Sequence, residues 1–247
     1  VRTTAVGLLY PGHSAQDDYD VLRSRWEDRV RLPLVHTSVG EDAHRVDALL
    51  DLGRAERLLV GAEELVRQHR PDAVMWACTS GSFVFGWDGA RRQAEQVAQA
   101  ASLPASSTSL AFVAAARALG LQRVVAAASY PRDVAQRFVD FLGHGGVEVA
   151  ELSSHGILTA AEVGTLGREQ VLALVAGAAR GQGAEAVLVP DTAMHTLAWL
   201  DDLEEAAGMP VLTANQVTVW EGLRLAAGGV PPDLPGLGSL SGTAVVR

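Results

Sequence analysis

The sequence predicts an α/β protein built from two similar halves, and three observations carry that expectation. Short apolar runs with strand character alternate with longer Ala-, Leu- and Arg-rich segments at helical spacing, the pattern of βα units around a parallel sheet. Three ordered pairs of segments recur between the first part of the chain and the second. The 247 residues are 48% hydrophobic and 20% charged, enough apolar material for a sizeable core without covalent staples.

In chain order, strands are predicted at 5–10, 73–77, 123–128, 186–189 and 211–213, where β-branched and other apolar residues run together and stop at Pro, Gly or polar residues. Helices are predicted over 17–30, 45–69, 90–102, 110–120, 132–146, 159–181 and 196–208, several of them closing on glycine as helix ends often do. The tail "GGVPPDLPGLGSLSG" (228–242) reads as a mobile or loosely packed terminus.

The repeat is the more informative feature. "AVGLLYP" (5–11) resembles "VAAASYP" (125–131), each strand closing on Tyr-Pro. "DAVMWACTS" (72–80) resembles "EAVLVPDTA" (185–193), with an acid, Ala-Val, apolar positions, a reactive-type residue, then Thr and a small residue. "LPASSTSLAFVAAARALG" (103–120) resembles "MPVLTANQVTVWEGLRLAAG" (209–228). The halves are drawn as residues 1–113 with 214–247, and 114–213. Parallel sheets place ligands at strand ends. If the halves face each other, Cys78 and Asp191 look across one cleft.

Residue types at that cleft point to small-molecule chemistry. Cys78 is the only cysteine and is followed by Thr79, Ser80, Gly81 and Ser82, so backbone N–H groups and hydroxyls in a tight turn can surround an anion. A thiol ordinarily ionises near pH 8.5, so its reactivity depends on donors around it. Tyr10, Tyr130 and Asn215 are further candidate donors to a carboxylate or enolate. Each residue also has a plainer reading. Cys78 can be an inert core residue, Asp191 a cap for a helix starting near Ala193, Tyr130-Pro131 a strand-to-helix turn, and His195 a surface residue.

Other classes fit less well. A net charge of −9, no Lys/Arg cluster and 5% aromatic residues argue against a nucleic-acid surface. The seven histidines show neither HxxxH nor HxH spacing, so no metal site is expected. No GxGxxG or Walker sequence follows a strand, and "TSGS" is not a GxSxG elbow. The opening "VRTTAVGLLYPG" has too short an apolar run for a signal peptide or membrane span, and a lone cysteine fits a reducing compartment, so a cytoplasmic protein without membrane association is expected.

"WACTSGSFVFG", the Tyr-Pro end at 130, "PDTAMHTLAWLDDLEEAAGMPVLTANQVTVWEGLRLAAGG" and "GLLYPGHSAQDDY" together resemble the aspartate/glutamate racemase superfamily, in its branch of maleate cis-trans isomerases and arylmalonate decarboxylases. The resemblance runs over about residues 4–230. It implies two flavodoxin-like (Rossmann-like) αβα halves related by a pseudo-twofold axis, an active site in the cleft between them, no metal and no organic cofactor, and a homo-oligomer. Members of this kind use two cysteines as acid and base, or the first as a nucleophile, while the decarboxylases need only the second as a proton donor. By resemblance Cys78 matches the first cysteine, Thr79 and Ser80 the carboxylate-holding donors, Tyr130 an assisting tyrosine and Asn215 the asparagine after the last strand. Thr192 is the repeat's counterpart of Thr79. His13 and Ser14 stand at the entrance where an asparagine-bearing segment is common.

Asp191 occupies the place of the second cysteine, a departure that disfavours symmetric two-thiol racemisation and also the decarboxylase reading, because the proton-donating cysteine of that branch is the one missing. The expectation is therefore a cofactor-independent isomerase acting on a small carboxylate or dicarboxylate, with Cys78 as nucleophile or proton carrier and Asp191 orienting substrate or moving the second proton. An arylmalonate-type decarboxylase, an Asp/Glu/hydantoin-type racemase and a non-catalytic carboxylate-binding protein are the alternatives. Phe83, Phe85, Trp87 and Trp199 are candidates to set pocket size.

Overall fold

Two parallel sheets with the same internal order form the frame. The computed structural model describes residues 3–181 and 183–242; positions 1, 2 and 243–247, at the outer ends of the expected first half, lie outside the described residues, as does 182. In the first sheet β1 (Thr4–Pro11) has β2 (Val30–Arg31) and β3 (Leu34–Thr37) along one edge and β4 (Ala73–Trp76) along the other, with β5 (Ala105–Ser107) beyond β4. In the second, β6 (Arg123–Ala128) lies between β7 (Glu148–Ser154) and β8 (Val187–Val189), with β9 (Val211–Thr213) outermost. Every pairing is parallel. The orders β3-β1-β4-β5 and β7-β6-β8-β9 superimpose the three sequence echoes strand for strand: β1 with β6, β4 with β8, β5 with β9.

The central strands are apolar without alternation because helices cover both faces of each sheet. All residues of β4, β8 and β9 are buried, as are the six inner residues of β1. The helices of the first half are α1 (Asp20–Trp26), α2 (Val46–Leu52), α3 (Ala55–His69), α4 (Ser80–Phe83), α5 (Gly86–Ala101) and α6 (Thr108–Ala118). Those that follow are α7 (Arg132–His144), α8 (Ala160–Val163), α9 (Arg168–Ala178), α10 (Leu200–Ala207) and α11 (Ala214–Ala226). Although α11 follows the second sheet, it packs across β1 and β4 of the first and against α6. Thr213 and Gln216 start it with a capping box. The expected boundary between residues 113 and 114 falls inside α6.

Several predicted elements divide or extend for identifiable reasons. The helix expected over 45–69 breaks at Gly53, where a Cβ would meet Gly81 O at 2.0 Å and whose carbonyl accepts a hydrogen bond from Gln93 Nε2 at 2.7 Å. The helix expected over 159–181 becomes α8 and α9. The helix expected over 17–30 stops at Trp26, because Glu27 takes a φ of 37° and the chain turns into β2. Strands β3 and β7 lie at sheet edges; β7, "EVAELSS", has no fully buried residue and so carries no apolar run to signal it.

The tail expected to be loosely packed is instead anchored through its described residues. Leu234, Leu237 and Leu240 are buried at three-residue spacing. Trp26 Nε1 donates to Pro235 O at 2.9 Å and Gln216 Nε2 to Leu237 O at 2.7 Å. These apolar anchors outweigh the freedom that the surrounding Pro and Gly composition suggests.

The α11 contact supplies a stability test. A Cβ on Gly222 would lie 2.3 Å from Val6 Cγ1 on β1, whereas one on the exposed Gly177 of α9 would meet nothing within 4 Å. Gly222→Ala is expected to cost about 1–3 kcal/mol by overpacking. Gly177→Ala is expected to gain about 0.5–1 kcal/mol from helix propensity. Urea unfolding of both variants checks the opposite signs.

Candidate active site

In each sheet the chain order reverses beside the first strand of its half, leaving a crevice at the carboxyl ends of neighbouring strands. The first crevice lies between Tyr10-Pro11, at the end of β1, and Cys78, just past β4. The second lies between Ser129-Tyr130, just past β6, and Pro190-Asp191, just past β8. They open onto a shared cavity of about 470 Å³, whose polar lining includes Cys78, Ser80, Asp191, Thr192, His44 and Ser14. Much of the remaining wall is apolar, formed by residues such as Leu49, Leu52 and Ala193. Among the described residues lining the cavity there is no lysine or arginine.

Cys78 is buried, and its Sγ accepts the Gly81 N–H at 3.3 Å with Ser80 Oγ 4.0 Å away. Gly81 permits this close turn: a Cβ there would meet Sγ at 3.1 Å and the Trp76 ring at 3.2 Å. Burial pushes the thiol up to about 12, opposed by the Gly81 N–H and Ser80 and reinforced by the charge of Asp191. Cys78 is therefore a neutral thiol at neutral pH.

Asp191 faces the same cavity from the second half. Its Oδ1 accepts the Ala193 N–H at 2.9 Å, its Oδ2 accepts the Ser129 hydroxyl, and His44 Nε2 stands 4.0 Å from Oδ2. The Ala193 bond shapes a local turn. The helical segment expected near Ala193 starts only at Leu197, so Asp191 does not cap it. The carboxylate closes the turn and lines the cavity at once.

The other expected site residues divide into two groups. Ser80, Thr192, His13 and Ser14 line the cavity. His13 Nδ1 pairs with Gln16 Oε1 at 3.1 Å, and its ring lies 4.1 Å from that of His36. Thr79, Tyr130 and Asn215 stand behind the wall. Thr79 Oγ1 is buried without a hydrogen-bond partner, and its carbonyl accepts Ser109 Oγ at 2.8 Å. Tyr130 gives its hydroxyl proton to Pro190 O at 2.5 Å, and burial holds that hydroxyl protonated well beyond the usual phenol range. Asn215 is fully committed inside the protein, donating to Asp18 Oδ2 at 2.8 Å and accepting from Tyr19 at 2.9 Å.

Tyr10 is likewise occupied, donating to Thr192 O at 2.9 Å while accepting the Ala15 N–H at 3.0 Å. His195 pairs with Asp17 at 2.9 Å, apart from the cavity lining. Phe83, Phe85 and Trp87 border a separate surface groove, and Trp199 also lies outside the cavity lining.

Two features of the site carried no sequence signal. His44, alone in the loop "GEDAH", is buried in the wall; its Nδ1 donates to Ile157 O at 2.8 Å, and its ring meets Tyr130 edge-on at 4.9 Å. The strap over the cavity joins the halves: His44 N–H donates to Leu158 O at 2.7 Å, and Asp42 accepts the Ala160 and Ala161 N–H groups at 2.8 and 3.0 Å. Gly164 is pressed against the entrance segment, where a Cβ would lie 2.6 Å from Ser14 O. Among the described residues no group of three or more His, Cys, Asp or Glu is placed to hold a metal ion, and no helix is long and apolar enough to cross a membrane.

The sequence profile of the arylmalonate decarboxylase family matches residues 53–240. The chain belongs to this family. It is 30% identical to an arylmalonate decarboxylase of Bordetella bronchiseptica over 146 residues, covering 58% of this chain and 59% of that protein's length. It is 27% identical to a maleate isomerase of Nocardia farcinica over 175 residues, 69% of each. The crystal structure of a mutant maleate isomerase from Pseudomonas putida S16 with maleate shares the fold at a TM-score of 0.86 and 21% identity, covering 99% of this chain and all (100%) of that one. The chain is thus similar to proteins named for two different reactions, and the α/β fold with two parallel sheets is common ground.

The Cys78 environment can be tested without a substrate. Iodoacetamide should alkylate this single thiol slowly at pH 8 and faster as the pH rises toward its ionisation near 12. Asp191→Asn removes the neighbouring negative charge, lowers the thiol's ionisation pH and should speed alkylation at any fixed pH. Intact-mass measurements follow the reaction; equal rates in the two proteins would mean that the charge of Asp191 does not reach Sγ.

Proposed function

We propose that this protein is a cofactor-independent enzyme that decarboxylates a small malonate-type acid, with Cys78 delivering a proton to the substrate carbon. The observation that carries the reading is the placement of Cys78: its side chain is buried in the cavity wall, an environment that favours the neutral thiol over the thiolate. A neutral thiol is a weak nucleophile but a competent acid toward a carbanion-like centre. Of the two roles expected for Cys78, proton carrier suits this environment better than nucleophile.

The walls support the same reading. One substrate carboxylate is held by the cavity-lining hydroxyls of Ser80 and Thr192, with Ser14 at the entrance. The departing carboxylate lies against apolar wall with no cationic side chain to stabilise its charge, which favours its loss as neutral carbon dioxide. The bond from the α-carbon to that carboxylate breaks, and its electron pair moves into the retained carboxylate as an enediolate. Cys78 then gives its proton to the α-carbon, and the thiolate recovers one proton from solvent per turnover.

A second reading, cis-trans isomerisation, has one observation in its favour. The Gly81 N–H on Sγ at 3.3 Å would stabilise a thiolate, the form that adds to an alkene carbon beside a carboxylate.

Proton NMR in heavy water with phenylmalonate, methylmalonate and maleate separates the readings. Decarboxylation predicts loss of carbon dioxide and one solvent deuteron at the α-carbon, with Cys78→Ala slower by about 10²–10⁴-fold, the usual worth of a general acid. Conversion of maleate to fumarate without carbon dioxide would establish the second reading. Full turnover in Cys78→Ala would remove the thiol from both, and binding without turnover across the panel would point to a carboxylate-binding protein.

A further inference from the structure

His44 is the one imidazole buried in the cavity wall, and the mechanism above does not use it. Its Nδ1 lies 2.8 Å from the Ile157 carbonyl oxygen. A carbonyl can only accept, so Nδ1 carries the hydrogen. The other nitrogen, Nε2, faces Asp191 Oδ2 at 4.0 Å with both side chains buried. A neutral ring in that tautomer would present a lone pair to a carboxylate inside a low-dielectric wall, an arrangement that repels on both sides. A proton on Nε2 removes the conflict and makes the contact an imidazolium–carboxylate ion pair at 4.0 Å.

We propose that His44 carries a proton on both ring nitrogens opposite Asp191, and that this ion pair, uncharged overall, is what allows a substrate carboxylate to enter the cavity beside Asp191. The inference rests on the reading that the cavity takes a small carboxylate. Without that charge on His44, Asp191 would be a buried anion held only by neutral donors, in a cavity whose described lining includes no lysine or arginine.

The neighbours leave this task to His44. The Tyr130 ring meets the imidazole edge-on from the end of β6, its hydroxyl proton given to Pro190 O. Cys78, also in the cavity wall, is a neutral thiol. On the loop that bears His44, Glu41 and Asp42 also line the cavity, but Asp42 is taken up by the Ala160 and Ala161 N–H groups and Glu41 pairs with Arg45, which also meets Asp47. Ser129 and Ala193 donate to Asp191 but bring no net charge. His44 is therefore a positioning residue that balances the charge of Asp191 across 4.0 Å.

Two measurements test the pair, the first without any substrate. In nitrogen-15 spectra at neutral pH, with His44 assigned by its loss in His44→Gln, the Nε2 signal should lie away from the free lone-pair position in the wild type. It should return to that position in Asp191→Asn. An Nε2 signal unchanged between the two proteins overturns the proposal, whether or not turnover is ever found. In the second measurement, calorimetric titration with phenylacetate should bind at least about tenfold more weakly to His44→Gln, because like charges now meet in the cavity. Asp191→Asn added to His44→Gln should restore the affinity. Unchanged binding in His44→Gln, or a loss that Asp191→Asn does not restore, also overturns it. A wild type with the expected Nε2 signal but no affinity for any carboxylate would sink the functional reading and, with it, the entry role.

Discussion

The arrangement depends on one buried carboxylate that is not in the cavity at all. Asp18, in the first half, accepts the backbone N–H groups of Thr196 and Leu197 at 3.0–3.3 Å and the Asn215 amide at 2.8 Å. Burial pushes its pKa up while these donors pull the other way. Such a group is tolerated inside a protein only when its lone pairs are filled, so the donors must stay where they are. Together with the Tyr10 hydroxyl on Thr192 O, Asp18 fastens the 191–197 segment of the second half to residues 10–19 of the first. That segment carries Asp191. The position of the acid opposite Cys78 is thus set by polar contacts that cross between the halves, and Asn215 contributes from behind the wall.

This division explains what was legible in the sequence. Strands β1, β4, β6, β8 and β9 announce themselves because a parallel sheet covered on both faces needs unbroken apolar runs. The three echoes could be matched because both halves meet the same packing problem. Edge strands β3 and β7 face solvent in part, and their mixed composition resembles a loop. Cys78, Ser80, Asp191 and Thr192 were legible because they follow those central strands directly. Asn215 and Tyr130 were legible as polar residues at strand ends, but their partners were not: a sequence does not show that Asp18 or the Pro190 carbonyl has already claimed them. His44 escaped notice because its role depends on a contact with a residue far away in the chain. The tail misled because Pro and Gly dominate its composition while three leucines decide its packing.

The scaffold is nearly symmetric and the chemistry is not. At equivalent strand ends the first half presents a thiol and the second a carboxylate. A thiol is cheap to bury because it remains neutral, and burial strengthens its hold on the proton. A carboxylate at the same depth demands donors, and Asp191 has two, the Ser129 hydroxyl and the Ala193 N–H, with His44 Nε2 4.0 Å away. The first half has no such set around Cys78, where Gly81 N–H and Ser80 suffice.

The asymmetry also bears on direction of proton flow. Two thiols of similar environment can exchange acid and base roles, which suits reactions that run equally well from either face of a substrate. A buried thiol and a carboxylate held by hydrogen bonds are different acids in different surroundings and do not exchange roles so freely. A reaction that consumes a proton at carbon in one direction only, as loss of carbon dioxide does, makes no demand for interchangeable partners. For the decarboxylation proposed above, the unequal pair suits a one-way proton delivery from Cys78, with Asp191 held by Ser129 and Ala193 of its own half and faced by His44 from the other.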